Sequence, residues 1–285
     1  PLVETAPTAG TIVKEKFNKK LGTTEWTLSN GIKVVIKPTD FKNDQIIMSM
    51  ESEGGSSKIA LNDLPSATLA DAVISYNGIG EFSVLDLQKV LTGKKVSVAP
   101  SISPYSESMS GSSTVKDFET MMQLTYLYFT APRQDDQAYQ TLISMLETQL
   151  AARDKNPKNA FNDSIQQTIT CHNPRTLILD VNLLKKADQL RAIEIYKERF
   201  ANPADFFVTF IGNINPNDEA TRQIICTWLG GLKPDKSREK YTDHGIRYPK
   251  GKVNDYFSIE METKTASNRI VYTGKMKATL ANRIN

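Results

Sequence analysis

The sequence predicts an α+β fold in which a largely antiparallel sheet is covered by helices on one face. Two β-rich runs, 25–28 and 32–38, flank the pair Asn30-Gly31, which favours a tight hairpin. Helical patterns then dominate up to residue 200, and one more apolar strand pattern, 206–212, follows them. A strand that returns so late indicates strands and helices packed into one unit.

Hydrophobic periodicity predicts the remaining elements. Further strands are expected at 46–52, 95–100 and 106–112. Helices are expected at 64–76, 83–91, 118–131, 138–153, 162–171, 184–200 and 217–229.

Changes in composition and pattern along the sequence divide the chain into four segments. Residues 1–22 are polar and are expected to be a linker, 23–233 the complete domain, and 234–252 a charged interdomain linker. Residues 253–285 resemble the start of a second copy, with strands at 255–262 and 268–275 and a helix at 278–284. Since the sequence begins at Pro1 without Met and ends inside a helical pattern, we expect a longer parent polypeptide.

Composition excludes several classes of function. The 285 residues include 35 Lys and Arg against 32 Asp and Glu, a net charge of +3 that is spread along the chain, so a nucleic-acid partner is not expected. No apolar run approaches the roughly 20 residues of a membrane span. Cys171 and Cys226 lack the spacing of a zinc knuckle or a redox motif and are expected to be buried free thiols.

Two segments resemble pitrilysin-type (insulinase-family) zinc peptidases. Residues 195–214 read IYKERFANPADFFVTFIGNI, where a helix ending in Tyr-x-x-x-Phe leads through Asn-Pro-Ala-Asp into a strand that ends in Gly-Asn. Residues 28–38, LSNGIKVVIKP, are similar to the first hairpin of the family. Together they bracket residues 23–233, and the resemblance implies the third of four homologous domains followed by the start of the fourth.

The resemblance also implies a site whose zinc ligands are missing. Catalytic members carry His-x-x-Glu-His on the helix after the third strand, and a distant Glu completes the protein ligands. Here Thr68 and Ala72 stand at the histidine positions and Asp71 at the Glu position, while Glu147 lies where the distal ligand is expected. A lone Glu on an amphipathic helix is also explained as a solvated charge. We therefore expect no catalytic residue, metal or cofactor in this chain, and zinc elsewhere in the parent enzyme.

Other chemistries find no support in the sequence. The two histidines, His172 and His244, have no second His or Cys at ligand spacing, and His172 precedes Asn-Pro in a turn. The Gly-x-Ser-x-Gly and P-loop patterns are absent. Paired acids at Asp135-Asp136 are explained by a helix start, where negative charge is favourable.

The resemblance to pitrilysin-type peptidases therefore implies a non-catalytic half-chamber that encloses peptide, while zinc sits in an amino-terminal half of the same polypeptide. Its partners would be that half and a peptide substrate, and the Arg and Tyr that the family uses to bind substrate would fall beyond Asn285. One alternative is a non-peptidase scaffold or core subunit of the processing-peptidase type, and another is an independent hydrolase. The resemblance implies a periplasmic or exported parent, while the chain itself gives no compartment.

Overall fold

The computed structural model describes residues 2–235, 238–259, 265–274, 279 and 281–282. Over these residues the strands are β1 (Ile12–Asn18), β2 (Thr23–Leu28), β3 (Lys33–Pro38), β4 (Ile46–Glu53), β5 (Val96–Ile102), β6 (Ser106–Ser113) and β7 (Phe207–Gly212). The α-helices are α1 (Leu64–Asn77), α2 (Val84–Val90), α3 (Phe118–Thr130), α4 (Asp136–Asp154), α5 (Pro157–Ile169), α6 (Val181–Leu184), α7 (Gln189–Arg199) and α8 (Glu219–Trp228).

The strands form one sheet in the order β1-β2-β3-β7-β4-β6-β5. All neighbours pair antiparallel except β3 and β7, which are parallel, with Val34 opposite Val208. The late strand β7 therefore lies at the centre, where Phe210 pairs with Met48 of β4. This placement confirms the predicted return of the chain into its own sheet.

The predicted hairpin joins β2 to β3. Gly31 has a φ of 92°, which glycine adopts without steric cost, and its N–H donates to Leu28 O at 2.9 Å. The Asn30 side chain donates to Leu229 O at 2.8 Å and to Leu232 O at 2.9 Å. The turn therefore also anchors the end of α8.

Helices cover one face of the sheet. Along β4, Ile46, Met48 and Met50 are buried while the alternate residues are exposed, as expected for a sheet with one covered face. Phe118 of α3 packs edge to face against Phe210, with ring centroids 5.5 Å apart. The fold is thus the predicted α+β arrangement. In the described part of the chain, no helix combines the length and apolarity that crossing a lipid bilayer requires.

The predicted linker 1–22 contains a strand and a core residue. β1 (Ile12–Asn18) pairs with β2 along the sheet edge, Leu2 is 7% exposed, and the N–H of Gly10 donates to Cys226 O at 2.9 Å. The linker interpretation was therefore wrong for this stretch. The polar composition reflects an edge position, where most side chains of the strand face water.

The charged segment 234–252 has no regular secondary structure over its described residues, yet it lies against the domain. Glu239 forms an ion pair with the nearly buried Arg199 at 2.8 Å. The N–H of Thr242 donates to Ser57 Oγ at 2.8 Å, and His244 Nε2 lies 2.7 Å from Ser57 O. We call residues 238–247 the strap.

Over its described residues, the expected start of a second copy forms no paired sheet. Residues 255–259 and 268–274, the described parts of the two predicted strands, form no strand hydrogen bonds. The rest of those strands and most of the helix predicted at 278–284 lie outside the described residues. Two short runs cannot stabilise a sheet alone. Asp255 instead accepts hydrogen bonds from the hydroxyls of Ser164 (2.7 Å) and Thr168 (2.9 Å) on α5.

Candidate functional site

Helix α1 carries three of the four positions that the sequence predicts for a lost zinc site. Pro65 lies in its first turn, where the missing N–H is tolerated, and Gly78 ends it with a φ of 83°. The helix packs against α7, α4 and β5. On its outer side Thr68 is exposed, whereas Asp71 and Ala72 are half-buried.

Neither predicted histidine position offers a metal ligand. The Thr68 hydroxyl donates to Leu64 O at 2.9 Å and is therefore engaged by its own helix. Ala72 has no side-chain donor atom. Two imidazoles one helical turn apart, which the zinc motif requires, have no counterpart here.

Asp71 connects α1 to the end of β5. Its Oδ2 accepts from the Ile102 N–H at 3.3 Å, and its Oδ1 accepts from the Ala72 N–H at 2.8 Å. Burial raises the pKa of this carboxyl, although its hydrogen bonds, including one with Ser101, oppose the shift. The carboxylate therefore has an observed structural role.

Glu147 lies on α4, the helix packed beside α1. The Tyr76 hydroxyl on α1 lies 3.1 Å from the Met145 sulfur on α4, so the two helices are in side-chain contact. Glu147 is half-buried, and its carboxylate has no hydrogen bond or ion pair within the described part of the chain. Over the same residues, no group of three or more His, Cys, Asp or Glu side chains is arranged to hold a metal ion.

The histidines and cysteines lie apart from this helix pair. Cys171 and His172 are exposed in a turn after α5, with φ values of 53° and 51°. His244 lies on the strap against Ser57 O. Cys226 is half-buried on α8, where burial raises the pKa of its thiol. Both cysteines are free, as predicted, but the expectation that they are buried was wrong for Cys171, which lies in an exposed turn.

A cleft of about 430 Å³, not predicted from the sequence, opens beside Thr68. It is lined by the start of α1, the end of β5, the end of α5, the loop containing Arg175, and the strap at His244. These segments are far apart in the sequence, so no local motif could reveal the cleft. Only the folded chain brings Arg175 and His244 to the predicted degenerate position.

Comparison with known proteins places this geometry in a family context. No family model matches the chain. A zinc protease PQQL-like protein from Arabidopsis thaliana is 27% identical over 234 residues, which cover 81% of this chain and 22% of the plant protein. The crystal structure of the periplasmic protease PqqL from Escherichia coli covers 87% of this chain and 27% of the bacterial one, with a TM-score of 0.71 and 21% identity.

The chain is related to the pitrilysin-type zinc peptidases. An inactive peptidase domain from Pseudomonas fluorescens also has this fold, with a TM-score of 0.59 and 14% identity over 78% of this chain and 54% of that one. This relationship confirms the resemblance drawn from residues 28–38 and 195–214. The pitrilysin-like chain spans about a quarter of the length of the Arabidopsis and Escherichia coli proteins.

Proposed function

We propose that this chain is a non-catalytic half-chamber unit of a zinc metalloendopeptidase. It encloses and binds peptide, while an amino-terminal half of the same polypeptide holds the zinc. The relatives are named proteases, a class that acts on peptides or proteins. The chain spans only about a quarter of their length. The proposal therefore assigns peptide binding to this chain and the zinc chemistry to other segments of the polypeptide.

The main support for the proposal is the absence of histidine ligands at the predicted positions on helix α1. A catalytic zinc needs three protein ligands and an open position for water. Thr68 and Ala72 supply no imidazole, and the Asp71 carboxylate binds the backbone of β5. Glu147 on the neighbouring helix would be a single remaining carboxylate, which is insufficient for a catalytic metal.

The uncovered side of the sheet supports a role in contacting peptide. On this open sheet face, Ile47, Phe207 and Ile211 are 46%, 50% and 42% exposed. Ile47 and Ile211 are directly paired across β4 and β7. Exposed apolar side chains that adjoin one another commonly mark an interaction surface. An unfolded peptide, with its own apolar side chains, is a suitable occupant.

The outer strand supports the same role through its backbone. β5 is the last strand of the sheet, so one of its edges has no strand partner in the described part of the chain. An extended peptide can add to such an edge by main-chain hydrogen bonds, which are independent of peptide sequence. Asp71 holds the end of this strand through Ile102.

A peptide-cleavage assay on three samples tests the proposal. The samples are this chain alone, this chain mixed with the zinc-bearing half, and the same mixture with the chain extended through the whole following domain. We expect no cleavage from the first sample and little from the second. The third should cleave much faster, since oriented peptide and metal-bound water must meet at one place.

The outcomes separate the proposal from its alternatives. Chelator-sensitive cleavage by the chain alone would contradict it in favour of an independent hydrolase. Tight association of the extended chain with the zinc-bearing half, with no gain in cleavage, would favour a scaffold subunit. Equal rates in the two mixtures would remove the requirement for the following domain.

A further inference from the structure

The cleft beside Thr68 has a cationic lining. Among the described residues that line it, Arg175 and His244 are the basic side chains, and none is Asp or Glu. Hydroxyl groups surround them. Those of Ser57, Thr68 and Thr170 already donate to backbone carbonyls, whereas those of Ser56 and Thr176 make no hydrogen bond within the described part of the chain. A cavity with a cation, hydroxyl donors and no acid is electrostatically suited to an anion.

Arg175 is fixed in place without a counter-charge. Its Nη2 donates to Ser56 O at 2.6 Å and to Ile59 O at 2.8 Å, and its backbone N–H donates to Asn173 Oδ1 at 2.9 Å. Within the described part of the chain no carboxylate pairs with it, and burial lowers the pKa of its guanidinium. Its side-chain bonds use a single nitrogen, which leaves Nε and Nη1 for a ligand.

The other walls of the cleft are apolar. Leu64, Ala67, Ile102, Leu177 and Ile246 contribute hydrocarbon surface around the polar groups. At about 430 Å³ the cleft lies within the range of small-ligand sites and admits a few atoms of backbone with one side chain. The lining therefore suits an apolar group that carries a carboxylate.

We propose that this cleft binds a carboxylate of a peptide, with Arg175 as its charged partner and the Ser56 and Thr176 hydroxyls as further donors. The naming of the occupant as a peptide rests on the proposed function. The preference for a carboxylate rests on the cleft alone. A peptide C-terminus and an acidic side chain present the same group, and the test distinguishes them.

Binding is measured by NMR titration of the isotope-labelled chain with three short peptides. The first is acetyl-Ala-Ala-Ala-Leu with a free C-terminal carboxylate, the second is its amide, and the third is acetyl-Ala-Ala-Glu-Leu amide. We expect the free acid to bind about tenfold tighter than the amide, as for one charge-assisted contact. Its shifts should concentrate at Ser57, Thr68 and Thr176. Weaker binding by the third peptide assigns the site to a C-terminus, and equal or tighter binding admits an acidic side chain.

Three variants test the role of Arg175. R175Q should abolish the preference for acid over amide, whereas R175K, which keeps the charge, should retain most of it. K158Q is the matched control, because it removes the same charge from the exposed start of α5, outside the cleft. Since Arg175 also holds two carbonyls, the fold of each variant is checked by its amide spectrum, and if R175Q unfolds, R175K and the wild-type shifts decide.

The proposal is overturned if acid and amide bind equally, if the shifts lie elsewhere, or if a folded R175Q keeps the preference. The assay involves no catalysis, so it fails separately from the proposed function. Acid-selective binding together with a failed cleavage assay would remove the half-chamber role and keep the carboxylate site. Restored cleavage without acid selectivity would remove the carboxylate site and keep the half-chamber role.

Discussion

A single carboxylate, Asp71, holds helix α1 against the end of the outer strand β5. Its two oxygens accept from the N–H groups of Ile102 and Ala72, and it is half-buried. A buried N–H without an acceptor destabilises the fold, so this contact explains an acid at position 71 without any catalysis.

Substitutions of Asp71 should separate its hydrogen bond from its charge. Asp71→Ala leaves the Ile102 N–H unpaired and should lower the free energy of unfolding by about 1–3 kcal/mol. Asp71→Asn keeps an acceptor and removes the half-buried charge.

The pH dependence of stability tests the charge. Because burial raises the folded-state pKa of Asp71 above its unfolded value, its stabilising contribution is present at low pH and is lost as pH rises through the folded-state pKa. Asp71→Asn should therefore gain stability over the wild type with rising pH, measured by urea unfolding between about pH 3 and pH 7. A difference that does not change with pH would contradict this account.

The predicted alignment of α1 with the zinc motif can be tested by restoring the ligands. The wild-type chain should bind no stoichiometric zinc, because Thr68 and Ala72 cannot replace two imidazoles. The double variant T68H/A72H should bind zinc, and adding E147Q should weaken that binding about tenfold if Glu147 stands at the distal position. Zinc affinity is measured by competition with a chelator dye. Unchanged affinity on adding E147Q would reject Glu147 as a ligand position.

At the scale of elements, the edges of the fold depend on contacts distant in sequence. Arg222 of α8 bridges to Glu15 of β1 at 2.9 Å and lies over the ring of Trp26 with its guanidinium carbon 5.0 Å from the centroid. Gly10 passes so close to α8 that an added Cβ would lie 2.6 Å from Gly230 O. The polar stretch before residue 23 is therefore attached to the last helix of the domain.

A substitution at Gly10 tests this attachment. Gly10→Ala places a methyl group against the backbone of Gly230 and should lower the free energy of unfolding by about 1–3 kcal/mol, as overpacking does. Gly274→Ala is the control, because its added Cβ meets nothing within 4 Å. Thermal unfolding of both variants measures the difference. If the two melt together, the close approach of Gly10 to Gly230 contributes nothing to stability.

The contrast between β1 and the β2–β3 hairpin shows which elements were accessible to sequence analysis. The hairpin follows from local chemistry, since Gly31 needs a positive φ and apolar runs flank it. β1 has Lys14, Glu15 and Lys16 in succession and no apolar alternation, because a sheet edge needs little buried surface. The position of β1 in the sheet is determined by its pairing with β2, and the sequence of β1 alone cannot predict that pairing.

At the scale of the whole molecule, the sequence predicted the helix that carries the proposed degenerate positions but did not predict what surrounds them. Thr68, Asp71 and Ala72 were placed on α1 by family resemblance, and the helix is present as predicted. The cleft and the strap were not predicted, because they depend on Arg175 and His244 meeting residues more than a hundred positions away. Charge and proline content predicted that residues 234–252 are an interdomain linker. In the folded chain, polar groups of the strap bind to the domain.

Limited proteolysis with a broad-specificity protease should show how the strap and the domain boundary are related. Residues 248–252 have no regular secondary structure and most are exposed, so the first cut is expected there, with 23–233 retained as one unit. The strap should resist longer, because Glu239, Thr242 and His244 are bound to the domain.

Glu239→Gln removes the ion pair with Arg199 and should speed cutting within 238–247 several-fold. Glu194→Gln, which alters an exposed ion pair on α7, is the control and should leave the cutting pattern unchanged. Early cleavage within α1 would contradict the predicted domain boundary, and equal cutting of the strap in both variants would show that the Glu239 ion pair does not hold it.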